Sequence, residues 1–153
     1  MSTQLNNGEQ NICDIQLFSA GLLKFAVFAE EVAGVTEWKD PVPLPLAPPA
    51  ILGIVAIRGR MLTVIDPRVL FKESGKTSPR HIIGLKGEEQ LALAAERIEG
   101  QIKIHPEKIQ KPEKTVIAVL GTVEHDGDTI RLLDISQLFA SSIQGRERRR
   151  RQL

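Results

Sequence analysis

The side chains most often used for metal binding and nucleophilic catalysis are few and scattered in this 153-residue chain. The three histidines, His81, His105 and His125, fall in three different predicted elements, and none has a partner at the spacing of metal ligands. The single cysteine, Cys13, lies in an alternating apolar stretch, which favours a small core residue over a nucleophile. One cysteine cannot form an internal disulfide, which fits a reducing compartment. These residues predict no metal site and no cofactor.

Acid–base and phosphate chemistry also lack a set of residues. Asp66 and Asp134 each follow an apolar strand in similar contexts, and a carboxylate pair could do acid–base work. An acidic residue directly after a strand is more often the cap of the turn or helix that follows, and we favour that interpretation. The glycines punctuate turns, so none opens a long helix as a phosphate-binding loop does, and no serine lies in a nucleophile elbow. We therefore expect a protein that is not an enzyme.

The composition predicts a packed domain with an unevenly distributed charge. Hydrophobic residues make up 42% and charged residues 25%, whereas aromatic residues make up only 4%, so Ile, Leu, Val and Ala must form the core. The net charge is +1, but Arg146–Leu153 holds five Arg and one Glu, a net of +4. The remaining chain therefore carries −3 (1 − 4), which gives no general electrostatic reason to bind nucleic acid.

Neither the N-terminal segment nor the apolar runs indicate targeting to a membrane. Residues 1–11 are polar and lack the apolar segment of a signal peptide, and we expect them to be flexible. The longest apolar run, Ile51–Ile57, is interrupted by Gly53 and is too short to span a bilayer. We expect a cytoplasmic protein without membrane insertion.

Apolar and polar residues alternate with a period of two over most of the chain, which predicts about nine or ten short β-strands. The stretch Asp40–Pro49 holds five of the nine prolines and should be extended, with a helical turn at its end through Leu52. Ser136–Ile143 is the only convincing short helix, residues 71–80 are the best internal break, and no internal repeat is obvious. The pattern predicts an all-β sandwich or a pair of small barrels.

The most distinctive segment is the predicted hairpin between Gly53 and Arg68. Two apolar runs flank the turn at Arg58, Gly59 and Arg60. Arg58 ends an apolar strand, where a buried stem would require a carboxylate or carbonyl partner. It can equally be a solvated turn residue beside Gly59, which would supply a positive φ. The residues alone leave both interpretations open.

Several short motifs occur in the order found in one known family. They are Gly53-Ile54-Val55-Ala56-Ile57-Arg58-Gly59, Val64-Ile65-Asp66-Pro67-Arg68, Leu44–Pro48 upstream, Val32–Val35, Leu120–Val123, Ile130–Asp134 and the final helix at Gln137–Phe139. Together they resemble the CheW-like family, whose members are coupling proteins that join chemoreceptors to a CheA-type histidine kinase in bacteria. The resemblance runs from about residue 12 to residue 143, which is nearly the whole domain.

The resemblance implies an all-β fold of two intertwined SH3-like β-barrels with a short C-terminal helix, and no catalysis. It also implies two partners. One lobe would contact the regulatory domain of the histidine kinase, and a groove near the Arg-Gly hairpin would engage the cytoplasmic tip of the chemoreceptor. The protein-binding residues are then Val32, Val35, Glu37, Ile57, Arg58, Gly59, Val64, Asp66 and Arg68. Residues 12–143 are predicted to form the CheW-like domain, and residues 144–153 a basic tail.

The chain departs from the family pattern at several positions. Gly34 stands where members frequently have an acidic residue that pairs with the motif arginine, so Glu31 or Glu37 is the expected substitute. Ala56 replaces the Asn of the motif, and Pro67 replaces the Leu that follows its Asp. The Arg-rich tail is not a hallmark of the family. A second hypothesis is therefore a small β-barrel nucleic-acid-binding protein that uses this tail.

Overall fold

Ten β-strands and two α-helices form the described part of the chain, which in this computed structural model comprises residues 12–71, 73, 78–111 and 118–142. The strands are β1 Cys13–Ala20, β2 Leu23–Phe28, β3 Val32–Glu37, β4 Ile51–Ile57, β5 Arg60–Ile65, β6 His81–Leu85, β7 Leu91–Ala95, β8 Arg97–Ile104, β9 Val119–His125 and β10 Asp128–Leu133. Helix α1 spans Pro67–Leu70, and α2 spans residues 135–142. The predicted segments 1–11 and 144–153 and part of the loop at 71–80 lie outside the described residues.

The strands form two five-stranded sheets, each the centre of one lobe. The sheet of the terminal lobe has the order β8-β1-β2-β10-β9, and the sheet of the central lobe has the order β3-β6-β7-β5-β4. The described chain thus passes from β1 and β2 of the terminal lobe through the five strands of the central lobe and returns to the terminal lobe with β8, β9 and β10. Each sheet contains one parallel pair, β2 with β10 and β5 with β7. The architecture confirms the predicted fold of two intertwined barrels with a short C-terminal helix.

Alternation along the strands divides the apolar side chains among three clusters. In β7, Leu91 and Leu93 enter a cluster shared by both lobes, whereas Ala92 and Ala94 enter the core of the central lobe alone. The shared cluster also includes Phe18, Phe25, Ile65, Ile83, Leu85, Leu133 and Leu138. Each fully buried aliphatic or aromatic side chain contributes about 1.5–3 kcal/mol, so the shared cluster holds the two lobes together.

Two hairpins have the same tight turn. Arg58 and Gly59 connect β4 to β5 with φ values of 50° and 78°, and Asp126 and Gly127 connect β9 to β10 with φ values of 50° and 82°. Positive φ at both central residues defines the two-residue turn whose twist matches that of the flanking strands. Both hairpins were predicted from their Gly-containing turns, and both are confirmed.

The two hairpins belong to a structural unit that occurs once in each lobe, with equivalent residues 68 positions apart (121 − 53 and 134 − 66). Val42 bridges to Ile54 as Gln110 bridges to Thr122, and Gly53 and Gly121 lie where the backbone of another segment approaches closely. Gly59 and Gly127 occupy the same position of the hairpin turn, and Asp66 and Asp134 each cap a helix. The amide of Asp66 donates to the carbonyl oxygen of Ala50 at 2.8 Å, and the amide of Asp134 donates to that of Ala118 at 2.7 Å. The fold therefore contains an internal repeat.

Two local predictions are wrong. The helical turn expected through Leu52 is absent, because Ile51 already begins β4 after a turn in which its amide donates to the Pro48 carbonyl oxygen at 3.0 Å. The C-terminal helix is not the only short helix, because Asp66 caps α1. Proline suits the first position of a helix, because the N–H at that position has no carbonyl acceptor within the helix and its absence therefore breaks no hydrogen bond.

Candidate functional site

The two outer strands of the central sheet approach each other and leave a groove between them. Twist and curling of a five-stranded sheet bring β3 towards the β4–β5 hairpin. The groove has a volume of about 60 Å³. It is lined by Ala33, Gly34, Thr36, Ile57, Arg58, Arg60, Leu62 and Gly84. Two arginines at an otherwise mostly apolar groove make this the best candidate for a docking site.

Arg58 is an exposed turn residue whose guanidinium group lies over β3. A Cβ atom built on Gly34 would lie 3.7 Å from Nη1 of Arg58, and no other described residue beyond the two chain neighbours of Gly34 would come within 4 Å of it. Among the described residues, no carboxylate oxygen lies within 4 Å of the Arg58 or Arg60 guanidinium group. Of the two interpretations left open for Arg58, the solvated turn residue is the one observed.

Glu31 and Glu37, the expected substitutes for an acidic residue at position 34, do not pair with Arg58. Glu31 lies in a second cavity, of about 210 Å³, between the β6–β7 loop and the start of α2. Its Oε1 atom is buried and accepts no hydrogen bond from a described residue. Burial is the main cause that raises the pKa of Glu31, with smaller contributions from the charges of Asp134 and Glu30. Glu37 is exposed beside His81, in an open depression.

The remaining predicted residues near the groove differ in how much of each is exposed to solvent. Val35 on β3 is 38% exposed. Val32 is half-buried and packs against the shared cluster, and Ile57 is half-buried in the groove. Gly59 is exposed at the tip of the hairpin, where a Cβ would meet no atom within 4 Å. These four residues and Arg58 therefore lie on β3 or at the hairpin tip.

Val64, Asp66 and Arg68 lie elsewhere. Val64 lies near the far end of β5, and Asp66 and Arg68 follow that strand. The last residue of this six-residue strand is about 17 Å from its first, at about 3.3 Å per residue. Val64 is fully buried in the core of the central lobe, so the predicted protein-binding role does not extend to direct contact by this side chain.

Asp66 and Arg68 form a structural pair at the start of α1. Asp66 is 5% exposed and accepts a hydrogen bond from the amide of Arg68 at 3.0 Å. The Arg68 guanidinium group donates to Asp66 Oδ2 at 3.1 Å. The favoured interpretation of Asp66 as a cap agrees with this geometry, and Asp134 caps α2 in the same way, with its Oδ1 atom 3.1 Å from the amide of Ser136.

Of the residues that line the groove, only Ile57 and Arg58 were predicted as binding residues; the sequence did not identify Ala33, Gly34, Thr36, Arg60, Leu62 and Gly84. A signal for Arg60 was present in the chain. A two-residue turn places Arg60 directly opposite Ile57, and the two residues then share one face of the hairpin. Gly84 could not have been found in this way, because its position depends on the pairing of β6 with β3.

Two further properties of the described residues bear on function. No group of three or more His, Cys, Asp or Glu side chains within residues 12–71, 73, 78–111 and 118–142 is placed to hold a metal ion. In the same part of the chain, no helix has the length and apolar character needed to cross a membrane.

Known proteins match the chain over most of its length. The family model described as CheW-like domain matches residues 14–142. Protein FrzA of Myxococcus xanthus is 29% identical over 136 residues, which cover 83% of this chain and 85% of that protein. The crystal structure of the scaffolding protein TtCheW from Thermoanaerobacter tengcongensis superimposes with a TM-score of 0.70 at 23% identity. That match covers 80% of this chain and 88% of the other chain, and it shows the same fold.

Proposed function

The chain belongs to the CheW-like domain family, and from this premise we propose that it is a coupling adaptor that links a chemoreceptor to a CheA-type histidine kinase. The adaptor works in the cytoplasm in a bacterial chemotaxis or motility pathway, and it catalyses no reaction. The observation that carries the proposal is the groove between β3 and the β4–β5 hairpin, with Arg58 and Arg60 at its edge.

The groove suits a receptor segment that presents an apolar side chain beside a polar or acidic one. Ile57 and Leu62 supply apolar contact, and the glycines at positions 34 and 84 carry no side chain that would fill the space. Arg58 supplies a guanidinium group that no described carboxylate neutralises. Arginine and apolar residues enclosed by a rim are the groups that most often dominate binding energy at interfaces.

Coupling requires that the two partners be held in a fixed relation, and the fold provides this rigidity. The groove is built on strands that are paired to the central sheet, and the shared apolar cluster ties that sheet to the terminal lobe. The regulatory domain of the kinase would bind one lobe while the receptor tip occupies the groove. A change in the position of one partner is then transmitted to the other through the paired strands.

Substitution of Arg58 tests the proposal. Arg58→Ala should weaken binding to a purified receptor cytoplasmic fragment about ten-fold, which corresponds to about 1.4 kcal/mol. The free energy of unfolding should change by less than about 0.5 kcal/mol, because the side chain is exposed and Ala tolerates the positive φ about as well as Arg does. Isothermal titration calorimetry and urea unfolding measure the two quantities. Arg97→Ala, an exposed arginine on β8, is the matched control and should leave receptor binding unchanged.

Binding to a CheA-type regulatory domain is measured in parallel, together with binding to an oligonucleotide at low and moderate salt. Absence of binding to both the receptor fragment and the kinase domain would reject the adaptor function. Oligonucleotide binding that falls steeply with salt and requires residues 144–153 would instead support the nucleic-acid hypothesis. Unfolding by Arg58→Ala, with a residual folded fraction that binds normally, would assign Arg58 a structural role.

A further inference from the structure

The second cavity of the structure is acidic and lies where the two lobes meet. It occupies about 210 Å³ between the β6–β7 loop of the central lobe and the start of α2 in the terminal lobe. Glu31, Glu88 and Glu89 line it, and Lys86 is the one basic residue among the described residues that do so. The formal charge of this lining is −2 (1 − 3), which favours a positively charged occupant.

The carboxylates of this acidic cavity have no positive partner in the described part of the chain. No described Lys, Arg or His nitrogen lies within 4 Å of the carboxylate of Glu31, Glu88 or Glu89. Oε1 of Glu31 is also buried without a described donor, and a buried acceptor in that state is destabilising. Burial raises the pKa of Glu31, and the charges of Asp134 and Glu30 raise it further. The cavity thus joins an uncompensated negative charge to a buried acceptor that lacks a donor.

The chain itself supplies a segment of matching charge a short distance along the sequence. Residues 146–153 hold five Arg and one Glu, a net of +4, and blocks of like charge often act as interaction segments. Helix α2 begins at the cavity and ends at Ser142, about 10 Å away at about 1.5 Å per residue. The residues 143–148 can span about 20 Å, so Arg148 is within reach of the cavity.

We propose that the Arg-rich C-terminal segment, residues 146–153, binds the acidic cavity of its own chain. The methylene groups of an arginine would pack against Leu91 and Ile135, which also line the cavity, while its guanidinium group donates to the carboxylates. The bound segment would connect α2 to the β6–β7 loop. That loop is joined to the residue before β3, because the amide of Lys86 donates to the Glu31 carbonyl oxygen at 2.9 Å. The segment would therefore stabilise the junction of the two lobes beside one wall of the groove.

The contact is weak but intramolecular. Glu88 and Glu89 are exposed, and exposed ion pairs are individually weak and screened by salt. Attachment to α2 gives the segment an effective concentration on the order of mM, so that several weak ion pairs suffice. The segment exchanges on and off the cavity, and burial remains the main cause of the raised pKa of Glu31. Salt should release the segment, whereas the protein concentration should not affect the contact.

Paramagnetic relaxation enhancement in the full chain tests the proposal. Gln152→Cys carries a nitroxide spin label, and Cys13→Ser removes the native thiol. At about 50 mM salt the label should broaden the amide signals of Gly87, Glu88 and Ser136, and at about 500 mM salt these signals should recover. A mixture of isotope-labelled chain without the nitroxide and unlabelled chain with it should show no broadening, because the contact lies within one chain.

Reversal of the charges on each side identifies the two surfaces. The double variant Glu88→Arg/Glu89→Arg should lower the ratio of bound to free segment about ten-fold or more, because like charges then meet. The double variant Arg148→Glu/Arg149→Glu should do the same. The chain that combines all four substitutions should regain the broadening, because opposite charges face each other again.

A matched control and the contrary outcomes complete the experiment. Glu107→Arg/Glu124→Arg reverses two exposed acidic residues outside the cavity lining and should leave the broadening unchanged. The proposal would be overturned by a wild type without broadening at low salt, by broadening in the mixed sample, by loss of the contact in the control, or by a combined variant that does not regain it. Restoration distinguishes a lost contact from a lost fold. The proposal does not rest on the coupling function, because the measurement contains no receptor and no kinase.

Discussion

Asp66 and Asp134 cap equivalent helices in the two lobes, but removal of the two carboxylates should have unequal consequences. Both accept a hydrogen bond from the backbone amide two residues ahead, at 3.0 Å in α1 and 3.1 Å in α2. Asp66 is 5% exposed and also binds the guanidinium group of Arg68, whose side chain is 14% exposed. Asp134 binds the hydroxyl of Ser136 instead, at an exposed position. Comparison of the two substitutions therefore distinguishes the contribution of a helix cap alone from that of a cap that also forms a mostly buried ion pair.

The expected magnitudes follow from these contacts. Loss of an N-cap costs about 1 kcal/mol, so Asp134→Ala should lower the free energy of unfolding by about that amount. Asp66→Ala also removes a charge-assisted hydrogen bond in a mostly buried place, which adds about 2 kcal/mol, for about 3 kcal/mol in total. Asparagine caps helices as well as aspartate does but carries no charge. Asp66→Asn should thus cost about 2 kcal/mol, whereas Asp134→Asn should be nearly neutral.

Urea unfolding, followed by circular dichroism and tryptophan fluorescence with the m-value fitted for each variant, measures these differences. For a domain of this size, about 3 kcal/mol corresponds to a decrease in Tm of about 6–12 °C. The reasoning would be refuted if Asp66→Ala and Asp134→Ala destabilised the protein equally. It would also be refuted if Asp66→Asn left the free energy of unfolding unchanged, because the ion pair with Arg68 would then contribute nothing to stability.

Two further predictions use the same unfolding measurement. Gly53→Ala should lower the free energy of unfolding by more than about 2 kcal/mol, because Gly53 has a φ of 141° and the new Cβ would collide with the Val42 carbonyl oxygen. Gly59→Ala should lower it by about 1 kcal/mol, because Gly59 has a φ of 78° but its new Cβ would meet no atom within 4 Å. Equal losses of stability would contradict the close approach at Gly53. Glu31→Gln should raise stability at pH 7, because burial raises the pKa of Glu31 and the folded state binds its proton more tightly. Wild-type stability falls as pH rises through this raised pKa, so the advantage of the variant should vanish below about pH 4.3, and an advantage independent of pH would refute the assignment.

Much of the fold was predictable because its signals are local. The alternation of Ile98, Ile102 and Ile104 with polar residues in β8 reports which face of that strand is buried, and two-residue turns with glycine report the hairpins. The helix α1 was missed because four residues are too few to show a helical period. The helical turn predicted through Leu52 failed because pairing of β4 with β5 outweighs the local preference after Pro48.

The groove was only partly predictable because it joins strands that are distant in sequence. Arg58 and Ile57 were identified from one segment, but the neighbour of Arg58 across the groove is Gly34, and this contact depends on how the sheet curls. The same limit applies to Val64. Its place in a motif suggested a contact residue, whereas the register of β5 turns it into the core of the central lobe.

Comparison of equivalent positions in the two lobes shows where the fold requires a particular residue type and where it does not. Where the backbone of one segment touches another, both lobes hold glycine: a Cβ at Gly121 would lie 2.6 Å from the Gln110 carbonyl oxygen, and Gly53 is equally confined. Where a helix starts, both lobes hold aspartate. At the hairpin tips, a Cβ at either central glycine would meet nothing within 4 Å, so packing does not determine the residues beside it. The opposite charges of Arg58 and Asp126 are therefore not determined by the packing of the shared turn, which holds either residue at a φ of 50°.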